Sequence, residues 1–451
     1  MASYLRMAPT QLRYLWRRYM GERTALVITS VLIGLCSSLC AVALKKGIHL
    51  ITGTANQLLF TGGRAYLVLV IPCVGILLSV AYTRFFLHGD LGRGMGNLLK
   101  DVRLRRSVVD RHKMWSQVIT SVFTMGTGGS AGLEAPLAIT GAAIGSNVAR
   151  FFRFGHAERT LLLASGAAAG VAAIFNAPIA GTVFALEVLL VNNAMTMVVP
   201  MLIASASATL FSSLINFGQP FVLITDSWNA SALPFYVVLA FLGAAVSVGT
   251  IKLYHWVGGF FDRASNVWTK AIVGALLLGV CIYFFPPLFG EGYDSVQLLL
   301  QGESQALTRY SPVLLRFGTW SVVALTAGLL VLKVVATRLT LGAGGNGGMF
   351  GPSLFIGAML GFSFSRAVNL SGIMDLNEVN FTVVGMAAVL SGTIHVPLTA
   401  IFLIAEITGG YALFVPLMIA SALAYLVSKF LHADSIYGKP PEMVDDAATN
   451  S

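Results

Sequence analysis

Charge is what this sequence has least of. Only 11% of its 451 residues are Asp, Glu, Lys or Arg, while 56% are apolar and the mean hydropathy is +0.79. Soluble domains carry about 25% charged residues, so the composition excludes a large soluble enzyme. Cysteine is equally sparse. Cys36, Cys40, Cys73 and Cys281 all lie in apolar segments, with no Cys-x-x-Cys pair and no Cys/His cluster. That pattern indicates neither a disulfide framework nor a metal site, and the four thiols read as small core residues. The seven histidines include no His-Glu-x-x-His, and the apolar segments hold no Ser/His or paired-Asp arrangement. A membrane-embedded enzyme would lack its catalytic groups, and nothing calls for a cofactor. A cation transporter would need more acids at mid-membrane than these segments contain.

What is present is apolar sequence of spanning length or near it, at 25–44, 65–82, 161–191, 198–215, 233–248, 271–287, 317–332, 381–394 and 413–427. Several stretches are too short or too glycine-rich for one straight span of roughly 20 residues, which predicts an all-α integral membrane protein with tilted and broken helices. No cleavable signal peptide is apparent. Arg6, Arg13, Arg17, Arg18 and Arg23 alternate with Leu and aromatic residues over 1–23, the pattern of a basic amphipathic helix on the membrane face. The positive-inside rule puts this terminus, and the loop 100–113 with Arg103, Arg105, Arg106 and Arg111, in the cytoplasm. The net charge of +10 therefore reflects topology and contact with anionic lipid, not nucleic-acid binding. Recruitment of anions is the second use of such charge.

The same small pattern occurs twice. Gly129-Ser-Ala-Gly-Leu-Glu134-Ala-Pro136, with Gly141 and Gly145 following, returns as Gly345-Asn-Gly-Gly-Met-Phe350-Gly-Pro352 with Gly357 and Gly361. The offset is 216 residues, from 129 to 345. Asn176-Ala-Pro178 ending at Glu187 likewise returns as His395-Val-Pro397 ending at Glu406, from 187 to 406, an offset of 219. Two motifs recurring in order mark an internal duplication, and Gly/Pro-interrupted apolar segments at matching places point to a transporter-type ion site. The chain divides into the N-terminal segment 1–23, a first membrane repeat 24–216, a second repeat 217–431 joined through 217–234, and a short polar tail 432–451. Polar loops at 290–311 and 374–380 punctuate the second half.

Each glycine cluster stands at an expected helix start, where first-turn N–H groups are unbonded and the dipole end carries roughly half a positive charge. Glycine lets the backbone approach a ligand, and proline just inside the start forfeits only an orphan N–H. Two such N-termini meeting at mid-membrane make a dehydrated anion site without placing a cation in lipid. Gly132–Pro136 and Gly348–Pro352 fit that role; Gly141, Gly145, Gly357 and Gly361, at four-residue spacing, fit a tight helix seam. Glu134 is the exceptional residue. An ionisable group among Gly, Ala, Leu and Pro at membrane depth is costly and therefore a functional candidate. It can exchange a proton or, when ionised, occupy the anion site itself. Glu187 and Glu406 form a symmetric pair suited to capping the broken helices, with a proton relay through Glu187 left open.

These residues carry a specific resemblance. Gly132-Leu-Glu-Ala-Pro136 resembles the gating-glutamate motif, Gly-Arg/Lys-Glu-Gly-Pro, of the CLC family of chloride channels and proton-coupled chloride antiporters. Gly348-Met-Phe-Gly-Pro352 is similar to that family's Gly-x-Phe-x-Pro, and the Asn176–Gly181 and Pro397–Thr408 segments fit its pattern, so the likeness covers about 30–438. The resemblance implies two inverted-topology repeats with about 18 helical segments, and a homodimer with one anion pathway per subunit. It implies Glu134 as gate and proton acceptor. The N–H groups of Met349 and Phe350, flanked by Gly348, Gly351 and Ala135, would line the anion site, and the Tyr437 hydroxyl would touch the anion.

Three departures qualify it. The family's Gly-Ser-Gly-x-Pro is answered only by Gly92-Arg93-Gly94-Met95-Gly96, so Arg93 stands either at the inner mouth of the path or as a loop charge facing lipid headgroups. Leu133 and Ala135 replace the usual basic residue and glycine beside the gate. The antiporters' inner proton-transfer glutamate aligns with Val188, a residue typical of the family's channels. The expected activity is transport of chloride or a similar small anion, with gated conduction ahead of chloride/proton antiport. The expected location is a bacterial inner membrane with a cytoplasmic N-terminus.

Overall fold

A computed structural model describes residues 21–60, 65–189, 198–215, 227–263, 266–307, 320–409 and 411–438. The amphipathic segment up to residue 20, residues 217–226 of the join, and the polar tail from 439 lie outside the described residues. Sixteen α-helices are present among those described. They are α1 (Glu22–Phe60), α2 (Ile71–Phe86), α3 (Met95–Arg103), α4 (Lys113–Gly126), α5 (Glu134–Phe151), α6 (His156–Phe175), α7 (Pro178–Leu189) and α8 (Val198–Leu214), followed by α9 (Leu233–Arg263), α10 (Val267–Phe284), α11 (Tyr293–Leu300), α12 (Ser321–Gly342), α13 (Phe350–Ser371), α14 (Glu378–Ile394), α15 (Pro397–Ile407) and α16 (Phe414–Leu431).

Among the described residues, eight segments are long and apolar enough to cross a membrane. Their lengths are uneven for physical reasons. At 1.5 Å per residue the 39 residues of α1 span about 58 Å, nearly twice a hydrocarbon core of about 30 Å, and such a helix must tilt. In contrast, α7 and α15, with 12 and 11 residues, are too short to cross. Each short helix follows the same break: Asn176 and His395, at φ 60° and 66°, cap α6 and α14 in the left-handed region. Pro178 and Pro397 then restart the chain where a missing N–H costs nothing.

The duplication is inverted, and its axis runs through the two glycine motifs. Gly132 and Gly348 form an isolated antiparallel bridge, each N–H donating to the other's carbonyl at 2.8 Å. Around it the bonds come in reciprocal pairs. Ser130 N–H donates to Thr340 Oγ1, and Asn346 N–H to Thr124 Oγ1, both at 3.0 Å. Farther out, Glu187 of α7 accepts from Leu398 N–H at 2.9 Å and Thr399 N–H at 2.8 Å, at the start of α15. Glu406 of α15 accepts from Ile179 and Ala180 N–H, at 3.0 and 2.8 Å, at the start of α7. Each short helix thus ends in a carboxylate that caps the other's first turn, satisfying orphan donors that lipid cannot.

These caps predict a measurable loss. Hydrogen bonds to a charged group are worth about 1.5–3 kcal/mol each, so Glu406→Ala is expected to lower the apparent Tm in detergent by several degrees. Glu406→Gln, which keeps one acceptor, should fall between. An unchanged Tm in the alanine variant would remove the caps from the stability argument.

Candidate functional site

The clasped motifs bring three helix N-termini to one cavity of about 150 Å³. A water needs roughly 10–15 Å³ on that measure, so the space admits several waters or a small anion. Its wall is Gly94, Met95 and Gly96 at the start of α3, Ala135 at the start of α5, Gly347, Gly348 and Met349 at the start of α13, together with Tyr254, Leu341, Ile436 and Tyr437. No Asp, Glu, Lys or Arg lines it among the described residues. Positive potential there comes from helix ends and first-turn N–H groups.

The α13 N-terminus is held rigidly. Phe350 is fully buried between the rings of Phe175 and Phe184, at centroid distances of 5.7 and 5.8 Å. Its side chain faces the core, and neither Phe350 nor Gly351 is part of the cavity wall, which Gly348 and Met349 form at this helix start. Gly348 shares the cavity wall with Ala135 and is crowded by it, since a Cβ there would stand 2.7 Å from the Ala135 Cβ.

Glu134 is the first residue of α5 and is 1% exposed. Its carboxylate reaches α13: Oε2 accepts from Gly351 N–H at 3.2 Å, and Oε1 accepts from the Tyr293 hydroxyl at 2.6 Å. Glycine at 351 is required for this approach, because a Cβ would lie 2.9 Å from the Tyr293 hydroxyl and 3.1 Å from Glu134 Oε1. The carboxylate therefore takes an N–H at the start of α13, next to those of Met349 and Phe350. Tyr437 lies near enough to feel the Glu134 charge from the cavity side.

Arg93 does not line the cavity, although Gly94 beside it does. Its Nη2 donates to Thr83 Oγ1 of α2 at 3.3 Å, and its Nε is buried without a partner. This half-buried placement differs from a charge facing lipid headgroups. Burial pulls its pKa down to about 10, which leaves it cationic at neutral pH. The loop 100–113 is likewise more than a solvated charge run. Lys113, 4% exposed, pairs with buried Asp101 at 2.7 Å, tying α3 to α4 below the cavity wall. On the outer side of that network Arg105 holds the Asp110 carboxyl below its ordinary range. Glu187 is engaged at the α15 N-terminus and is absent from the cavity wall, and Val188 packs against the hydrophobic core.

Three polar side chains escaped the sequence reading. Tyr254 of α9 lines the cavity and is braced by Arg338, whose guanidinium lies 4.7 Å over its ring. Tyr293 bonds the gate candidate, and Glu291 lies beside it in a segment read as a polar loop. Glu291, between two glycines and among aromatic residues, resembles Glu134 as an acid flanked by glycine, although Asp294 follows three residues later.

An inverted repeat of broken helices around a cavity lined by helix N-termini defines an anion-transport membrane protein. The sequence profile of the voltage gated chloride channel family matches residues 75–429, and the chain belongs to that family, the CLC family. Among curated relatives, the voltage-gated ClC-type chloride channel ClcB of Escherichia coli is 31% identical over 328 residues, spanning 71% of this chain and 73% of its own. Among solved structures, a slow cyanobacterial Cl−/H+ antiporter superposes with a TM-score of 0.79 at 20% identity, covering 91% of this chain and 96% of that one. A CLC-type fluoride/proton antiporter reaches 0.76 at 22% identity, over 92% and 97%. These likenesses establish the fold.

Proposed function

We propose that the chain carries chloride through one pathway in each subunit of a homodimer, with Glu134 as the gate. The observation behind this reading is the hold of the Glu134 carboxylate on Gly351 N–H. Ionised, the carboxylate fills the place an anion would take at the start of α13. Protonated, it loses one of its two acceptor positions and releases that N–H to the anion. The N–H groups of Met349 and Phe350 and the hydroxyl of Tyr437 hold the central anion, while Gly348, Gly351 and Ala135 shape its walls. Arg93 adds long-range attraction from behind the wall and does not bind the ion directly. The carrier sits in a bacterial inner membrane with its N-terminus in the cytoplasm.

Gated conduction is the first reading because Val188 stands where a proton-transferring acid would be needed. Chloride/proton exchange is the second, favoured by the complete burial of Glu134 and its bond to Tyr293. Chloride efflux from proteoliposomes, with external pH recorded together, tests both. Flux that rises on acidification with no proton movement supports gated conduction. Proton uptake driven by the chloride gradient makes the protein an exchanger. Absence of chloride flux overturns the proposal and turns the assay to fluoride, nitrate and bicarbonate.

The anion site has its own test. A hydrogen bond to a charged partner is worth about 1.5–3 kcal/mol, so Tyr437→Phe is expected to weaken chloride binding about tenfold by isothermal titration calorimetry. Unchanged affinity would take the hydroxyl out of the site.

A further inference from the structure

Glu134 has an acidic neighbour. Glu291 lies in the turn before α11, where Gly290 and Gly292 adopt left-handed φ values of 59° and 86°. Two residues on, the Tyr293 hydroxyl donates to Glu134 Oε1 at 2.6 Å, which holds this turn against the gate. The Glu134 charge acts on Glu291, and the Glu291 charge acts in turn on Tyr293, on Lys45 of α1 and on Lys333 of α12. Tyr437 faces Glu134 from the cavity. The surrounding groups are firmly placed. Lys333 is fully buried, donates to Gly290 O at 2.8 Å, and stands 4.9 Å over the Phe355 ring. Lys45 donates to Ile174 O at 2.7 Å.

Two features set this cluster apart from a structural ion pair. One Glu291 oxygen, Oε1, is buried without a hydrogen-bond partner, whereas a carboxylate serving only as a strut would be fully satisfied. The second acid also sits beside the one group that must change charge for the path to open. Two neighbouring carboxylates withdrawn from water resist being ionised together, and they titrate as a pair.

We propose that Glu134 and Glu291 form a proton-sharing pair, with Glu291 taking up and returning the proton that moves the gate. In the transfer the O–H bond of the protonated carboxyl breaks, an O–H bond forms on the other carboxylate, and the charge of the pair is unchanged. No further reactant is needed. Lys45 and Lys333 stabilise the negative charge while it resides on Glu291. Tyr293 holds Glu134 in place while that residue is ionised. The inference rests on Glu134 being the gate.

Chloride flux from proteoliposomes, measured against pH for wild type, Glu291→Gln and Glu134→Gln, tests it. Removing the neighbouring negative charge makes Glu134 easier to ionise, so the pH of half-maximal flux in Glu291→Gln should move down by about one unit or more. Glu291→Asp should move less. A Glu291→Gln profile superimposable on wild type overturns the pair. Flux that still depends on pH in Glu134→Gln overturns the gate instead, whatever Glu291 does. Should Glu291→Gln fail to fold, infrared titration of the Glu291 carboxyl band in wild type and Glu134→Gln gives the same answer. A shift of about one unit between them supports the pair, and coincident titrations remove it.

Discussion

Glu134→Ala is expected to pass chloride at a rate independent of pH, without proton movement. In the wild type the carboxylate spans from α5 to α13 and occupies Gly351 N–H and the Tyr293 hydroxyl together. Opening requires one proton, and on the alkaline side of the transition the open fraction falls roughly tenfold per pH unit. Alanine cannot fill the anion's place, so the decline should vanish and alkaline flux should exceed that of wild type. The helix ends remain, because the Gly132–Gly348 bridge uses main-chain atoms only; chloride binding is therefore retained. A variant that binds chloride but keeps the wild-type pH profile would sink the gate. If the wild type is an exchanger, the same substitution should leave chloride movement uncoupled from protons.

The second large effect is on folding. Gly357→Val is expected to abolish a monodisperse peak on size exclusion. A Cβ at Gly357 would strike the Gly385 carbonyl and lie 2.6 Å from Met386 Cα, all main chain of α14. The first repeat has the matching contact, in which Gly141 and Gly166 each face the other's carbonyl across the α5–α6 seam. Backbone cannot rotate aside as a side chain can, and in membranes close approach of this kind is a main source of helix association. Overpacking costs about 1–3 kcal/mol and sometimes more, against a total stability of about 5–15 kcal/mol. Gly328 in α12 has nothing within 4 Å of its Cβ position, so Gly328→Ala should behave as wild type. Equal behaviour of Gly357→Val and Gly328→Ala would show that the seam is not tightly packed.

Much of the fold was legible because membrane residence simplifies the code. Scarce charge and recurring apolar stretches specify helices, and the broken ones were signalled by Asn176-Ala-Pro178 and His395-Val-Pro397. Glu134 stood out because an acid among glycines is expensive in lipid. Glu291 gives a weaker signal, since the segment around it also holds Asp294 and reads as a polar loop. Tyr254 gave no signal at all. Its place in the cavity depends on how α9 packs, and nothing local distinguishes it from an interfacial tyrosine.

By itself the sequence determined an α-helical membrane protein with an internal duplication, glycine-opened helix starts and one acid at the centre of the first motif. Those features follow from composition, spacing and local chemistry, which act within a few residues. Only the tertiary structure decided that the two motifs clasp as an antiparallel bridge, that Glu187 and Glu406 cap each other's helices, and that Tyr293 meets Glu134. These contacts join residues more than 150 positions apart, 159 for Tyr293 and Glu134 and 211 for Glu187 and Leu398. The inverted symmetry and the packing of helix on helix create them, because orphan N–H groups and charges in a medium without water must find partners within the protein.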